Sequence, residues 1–487
     1  MTTLLASKVV GKKSRAKKHA RLSLQPKLRG RAQRMEAALL WAAWKARQAV
    51  RDDAFVHALY QPDPDAPTPP YSADGVANTA TPIASRRRDQ LEAFCASALA
   101  DTLLQAKLRA PRGRAPFISL VVRLARDRGF DVDAKTVRVA MVHGIEHPMQ
   151  GRVGEPPWPP NGWIPVRAVW RSGQLYVRWS YLGRVRLREP YFEGSVQYCF
   201  LKPFNRLFAP LTPIVNLSEM LSARPSLPPR GFIFHMSRCG STLVSQMLAA
   251  SDRNLVVSGA SPIDAVVRAK EVRPDLPDDE HAQWLTAIIS ALGQPRRGER
   301  NFFLKMHNLH ILALPLFRRA FPSVPWIFLY RNPVEVVVSQ FHSPGPHMIP
   351  RAADGMAHRL VGAFAAKITV DSVARVLATA CAPVARHYRD GGGLLVNYYE
   401  LPDAVWGRIL PHFGVACSKS DRAAMAAVAR FDAKTPSFAF APDVAAKHYA
   451  ATAATRAAAD KHLRPTYRRL EALRRSSLRL PQMHRKC

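Results

Sequence analysis

Short apolar runs alternate with helically spaced segments between residues 231 and about 415. Residues 232–234 are apolar and run into a small Gly-containing turn. Leu243, Val244, Met247 and Leu248 then recur at helical spacing. Apolar runs return at 255–257, 302–306, 326–330 and 394–396. Between them, 262–270, the stretch marked by Trp284, Leu285, Ile288, Ile289 and Leu292, residues 309–320, and the residues after Pro333 read as helices. This rhythm predicts an α/β fold, a parallel sheet with helices on both faces. Ligands in such folds bind at the carboxyl ends of the strands.

The pattern differs upstream. WIPVRAVW, QLYVRWSYLG and RVRLREPYF carry short alternating runs, which predict two to four strands around 163–200. Trp163, Trp170 and Trp179 on those runs are read as core. Further upstream, Leu91, Phe94, Leu99, Leu103, Leu104 and Leu108 mark an amphipathic helix. Phe117, Leu120, Val121 and Leu124 mark a second, stopped at Gly129. Asp133 is placed to cap a third, AKTVRVAM. The Pro-rich breaks GEPPWPPNG and ARPSLPPRG divide the chain. The expected units are a basic, largely disordered arm and linker (1–84, with a helix at about 35–58), a small helical domain (85–150), a β-rich segment (160–222) and the α/β domain (228–475).

Charge and cysteine usage add limits. The chain of 487 residues has a formal net charge of +35, and its first 34 residues hold eleven Lys or Arg and no acid. That arm reads as a disordered extension or as an anchor for nucleic acid or an acidic surface. No aromatic interleaving supports base reading. Six scattered cysteines without CxxC spacing argue against a disulfide framework or a zinc site and fit a reducing, cytoplasmic setting. The histidines form no HExxH pattern, so no metal is expected. No run of about 18 apolar residues predicts a membrane span, and no apolar stretch follows the basic start as a secretory signal requires.

The turn SRCGST carries the candidate chemistry. Gly240 permits a tight turn that presents successive N–H groups, and the helix starting there adds positive partial charge. Ser237, Cys239, Ser241 and Thr242 complete the loop, with hydroxyl donors from Ser241 and Thr242 and a guanidinium from Arg238. A Walker A loop requires Lys between its last Gly and the Ser/Thr. Here Gly240 runs directly into Ser241, so the magnesium–nucleotide pattern of a kinase is not met. In WIFLYRNPVEVVVSQ an apolar strand ends at Arg331, Pro333 opens a helix, and Ser339 follows eight residues after the arginine. A strand-end arginine and a hydroxyl on the next helix can close on one phosphate.

With these residues the chain resembles a bacterial sulfotransferase of the P-loop superfamily over about 163–475. SRCGST is similar to that family's 5′-phosphosulfate loop and RNPVEVVVS to its 3′-phosphate motif. EPYFEGSV, VVSGASPIDAVVRA, LALPLFRRAFPSVPWIFLYRNP, PGPHMIP, LLVNYYELPDAVW and FDAKTP are further similar stretches. The resemblance implies transfer of a sulfuryl group from 3′-phosphoadenosine 5′-phosphosulfate (PAPS) to a hydroxyl or amine acceptor, without a metal. It places Ser237 to Thr242, Arg331 and Ser339 at the donor, and Arg238 and His310 at the reacting centre; Lys305, at the end of FFLKM, is a candidate second cation there. The family usually has Glu where this chain has Gly259, which leaves two readings: His307 serves as a substitute base, or the chain binds the nucleotide and no longer turns over. Glu335 is a candidate partner for an arginine, and Lys434 for the nucleotide. The early LEAF, DTLLQAKL and LARDRGFDVDAKTVRVAM resemble a Nif11-like domain, a helical unit of peptide natural-product leaders. That resemblance implies a peptide partner.

Overall fold

The structure is a computed structural model that describes residues 82–145, 161–222, 226–345 and 368–479. The basic arm and the expected helix at 35–58 lie outside them. The helical unit comprises Pro82–Ala100, Thr102–Arg109, Arg114–Arg126 and Ala134–His143. Asp133 caps the last of these by accepting from the Thr136 N–H. The first expected helix is in fact two. Asp101 accepts from the Leu104 N–H and starts a new helix. The break changes the phase: Leu104 and Leu108 are buried, but Leu103 is 76% exposed.

Three strands follow: β1 (Trp163–Arg171), β2 (Gln174–Tyr181) and β3 (Leu211–Pro213). They form an antiparallel sheet in the order β1-β2-β3. The RVRLREPYF stretch is not a strand. Its end runs into a helix, Phe192–Phe200, whose buried Phe192, Val196 and Cys199 follow helical spacing. Trp163 and Trp179 are core residues, and Trp170 packs near Trp284 with ring centroids 6.3 Å apart. The helical unit docks here. Trp163 Nε1 donates to Gln105 at 3.4 Å, and the Arg109 guanidinium lies 4.0 Å from the centre of the Tyr181 ring.

The main sheet contains β4 (Pro229–His235), β5 (Asn254–Ser258), β6 (Asn301–Lys305), β7 (Trp326–Tyr330) and β8 (Gly393–Asn397). All pairs are parallel, in the order β5-β6-β4-β7-β8. Helices flank the sheet on both faces, so β5 and β7 are buried along their whole length. The chain builds β5 and β6 on one side of β4, then crosses to β7 and β8 on the other. In open α/β sheets ligands bind beside such a reversal, which here falls at the carboxyl ends of β4 and β7. The helix Arg464–Arg479 closes the structure over β7 and β8. Glu471 Oε1 accepts from the Tyr330 hydroxyl at 2.5 Å and from Asn397 at 2.8 Å, and Arg474 also binds Glu471.

Candidate functional site

The turn after β4 is fixed from both sides. Ser237, Arg238 and Gly240 have φ of 77°, 52° and 86°. Two non-glycine residues in this region are unusual and costly, and such strain collects at ligand-binding turns. At Gly240 a side chain would be strained at this φ, and its Cβ would press on the Leu401 side chain at 2.5 Å and on Tyr398 at 3.1 Å. His235 steadies the start of the turn. Its Nε2 contacts the Met306 carbonyl at 3.0 Å, which leaves Nδ1 to accept from the Ser237 N–H. Gln340 donates to Ser237 Oγ at 2.7 Å, and Arg238 donates to Ser343 Oγ at 2.9 Å. The turn is therefore tied to the helix Pro333–His342 and to the residue that follows it. Cys239 contributes backbone only. Its buried thiol bonds the Leu329 carbonyl, and burial pushes its pKa up to about 12. Ser241 and Thr242 begin the helix Ser241–Ala250 and are buried.

Arg331 directly follows β7 and is also buried. Its Nε donates to Glu335 at 2.6 Å, its Nη2 donates to Asp443 at 2.5 Å, and its guanidinium lies 3.7 Å from the centre of the Tyr398 ring. Burial disfavours its charge, but Asp443, Tyr398 and Glu335 outweigh that and raise its pKa. Ser339 lies on the same helix as Glu335 and is 3% exposed. The two anion motifs share neighbours. Tyr398 borders Gly240 and also carries Arg331, and the Arg331 N–H approaches Met236 Sδ at 3.1 Å.

The third group lies at the ends of β5 and β6. Lys305 is buried with its Nζ 4.9 Å from the centre of the Tyr191 ring, and burial lowers its pKa to about 8. His307 is exposed, yet its ring sits among close neighbours. Desolvation and the adjacent His310 hold its pKa below the usual imidazole value. Its Nε2 is 3.0 Å from the Gly259 carbonyl, an acceptor only, so Nε2 carries the proton and Nδ1 keeps the lone pair. His310 stands behind it with ring centroids 5.2 Å apart, and its Nε2 meets Asp264 at 3.1 Å. His310 is thus placed to act through His307. Gly259 has φ of 63°, and a Cβ there would stand 3.3 Å from His307 Nε2. A side chain at 259 would be strained at this φ and would press on the His307 ring.

All eleven candidate residues fall on the carboxyl-end face of the sheet. Sequence reasoning missed Asp264, Tyr191, Glu193, Ser343, Gln340, Asp443 and Lys447 as neighbours of that face. Glu193 accepts from the Ser261 N–H at 3.1 Å, and burial raises its pKa. Lys434 lies in the turn that follows Asp432, which binds its N–H.

No protein-family model matches the chain, and no curated protein matches it. Solved structures that are similar include the sulfotransferase domain of the Synechococcus PCC 7002 olefin synthase, at 17% identity, covering 53% of this chain and 98% of that one, with a TM-score of 0.29. Sulfotransferase STF9 from Mycobacterium avium matches at 14% identity over 55% and 83%, with a TM-score of 0.32. A sulfotransferase from Alicyclobacillus acidocaldarius matches at 17% over 52% and 99%, with a TM-score of 0.31. Among the described residues no helix is long and apolar enough to cross a membrane, and no group of three or more His, Cys, Asp or Glu could hold a metal ion.

Proposed function

We propose that the chain is a sulfotransferase that uses PAPS as donor, with a hydroxyl or amine as acceptor. The observation that carries this reading is the convergence of two anion-holding devices on paired strands. The strained turn after β4 and Arg331 after β7 meet through Tyr398. A strained turn at Ser237, Arg238 and Gly240, a helix start and a buried guanidinium suit a ligand with phosphate at both ends.

In this reading the N–H groups of Gly240, Ser241 and Thr242, with Arg238, hold the 5′ end, while Arg331 and Ser339 hold the 3′-phosphate. When bound, the donor supplies a sulfuryl group whose bond to the bridging oxygen breaks as the acceptor oxygen or nitrogen bonds to sulfur. His307 Nδ1 takes the acceptor proton. Lys305 and the turn's N–H groups steady the charge on the bridging oxygen, each such donor contributing a few kcal/mol. Asp264 and His310 position the His307 ring. The helical unit at the front, read as Nif11-like, favours a peptide or related natural product as acceptor.

Calorimetry with the desulfated product, adenosine 3′,5′-bisphosphate (PAP), tests the donor site. Tight binding is expected, weakened at least about tenfold, roughly 1.4 kcal/mol, by Arg238→Ala and by Arg331→Ala. Ser339→Ala leaves the buried ion cluster intact and should weaken binding in the same direction. An absence of PAP binding to the native chain would sink the reading.

A further inference from the structure

The nucleotide-facing side of Arg331 is already taken by a carboxylate from a distant part of the chain. Asp443 stands at the start of the helix Val444–Ala450, where an aspartate ordinarily caps the first turn. Here it makes no side-chain cap bond. Its two oxygens are directed elsewhere: Oδ1 to Arg331 Nη2 at 2.5 Å and Oδ2 to Lys447 Nζ at 2.6 Å. Lys447 is 2% exposed, one turn along the same helix. Burial raises the carboxyl's pKa, but Lys447 and Arg331 together bring it down to about 2.

The arrangement is that of an anion site with its anion supplied in cis. Glu335 holds Nε of the guanidinium, Tyr398 covers a face, and Asp443 holds Nη2. Two cations, Arg331 and Lys447, are matched by two carboxylates, Glu335 and Asp443, and His448 Nε2 lies 3.4 Å from Glu335 Oε1. A phosphate arriving at this cluster meets no net positive charge while Asp443 stays in place. The two carboxylates are not equally buried. The side chain of Glu335 is 8% exposed on the helix Pro333–His342, within the core. That of Asp443 is 19% exposed, and the neighbouring Val444 is 41% exposed. Asp443 is the more exposed of the two carboxylates.

We propose that Asp443 is an internal stand-in for the 3′-phosphate. The nucleotide binds by displacing its carboxylate from Arg331, and Lys447 passes from that carboxylate to the phosphate. No covalent bond changes. The device discriminates between nucleotides, because only a ligand with a second phosphate can replace the lost ion pairs. It rests on the reading that Arg331 receives the 3′-phosphate.

The test is calorimetry of the full chain with PAP and with adenosine 5′-phosphate, on native protein, Asp443→Asn and Lys447→Met. Asp443→Asn should tighten PAP at least about fivefold and leave adenosine 5′-phosphate within about twofold. Lys447→Met should weaken PAP at least about fivefold, again with little change for the monophosphate. If native protein binds PAP but Asp443→Asn binds it no better, or Lys447→Met binds it equally well, the stand-in is wrong while the donor reading survives. If no form binds PAP, both fail. Should a variant not fold, amide exchange on the native chain decides. PAP, and not adenosine 5′-phosphate, should alter exchange across 443–450. Unchanged exchange there overturns the proposal.

Discussion

His307→Ala is expected to lower turnover by about 10²- to 10⁴-fold, the usual worth of a positioned general base. PAP affinity should stay within about twofold, because His307 touches Gly259 and His310 and none of the groups assigned to either phosphate. The pH profile supplies a second readout. A base works when neutral, and the surroundings of His307 hold its pKa below the ordinary imidazole value of 6.5. The acid limb should therefore lie below pH 6.5 and disappear in the alanine variant. Lys305 assists as a cation, and burial lowers its pKa to about 8, so the native rate should fall above that pH. Native turnover matched by the alanine variant would remove His307 from the mechanism. A native chain that binds PAP and transfers nothing to any acceptor would favour the impaired reading, in which the loss of glutamate at 259 has no replacement.

The second large effect concerns stability. Glu471→Ala should cost about 3 kcal/mol or more, since removing one member of a buried ion pair leaves its partner uncompensated. Tyr330, Asn397 and Arg474 all lose a partner at once. Glu400, 3.4 Å from Arg474, offsets part of the loss. Denaturant unfolding measures this directly, and a loss under about 1 kcal/mol would show that the cluster is not a hub. The same residue sets an acid sensitivity. Burial raises the pKa of Glu471, but hydrogen bonds from Arg474, Tyr330 and Asn397 prevail and bring it from 4.5 to about 2. A depressed carboxyl contributes stability above its unfolded value. That contribution is therefore full above about pH 4.5 and is lost as the pH falls toward 2. In the alanine variant this part of the acid dependence should be missing.

What could be read from the chain depended on how local each feature is. The turn SRCGST and the Arg331–Ser339 spacing lie within single strand–turn–helix units, so periodicity and turn chemistry expose them. The five strands of the main sheet are continuous apolar runs, which buried parallel strands require. The helix Phe192–Phe200 was hidden because Arg–Glu–Pro precedes it and its apolar residues follow a run of strand-like alternation. The strand β3 is three residues long, too short for any period. Asp443 could not be found from the sequence near Arg331, because 112 positions separate them. Asp264 is nearer to hand, inside SPIDAVV, but an acid in the first turn of a helix is the ordinary dipole partner. Only the fold shows that it faces His310.

The Pro-rich hinge at 223–231 looks like a natural place to cut the chain. Yet Glu193, upstream of the hinge, accepts from Ser261, and Ser261 Oγ in turn donates to the Val166 carbonyl of β1. Ser261 begins the short helix whose Asp264 steadies His310. A fragment starting at the hinge would keep every residue proposed for the donor site and lose the buttress behind its histidine pair. In this chain the seam visible in the primary structure and the seam of mechanical independence do not coincide.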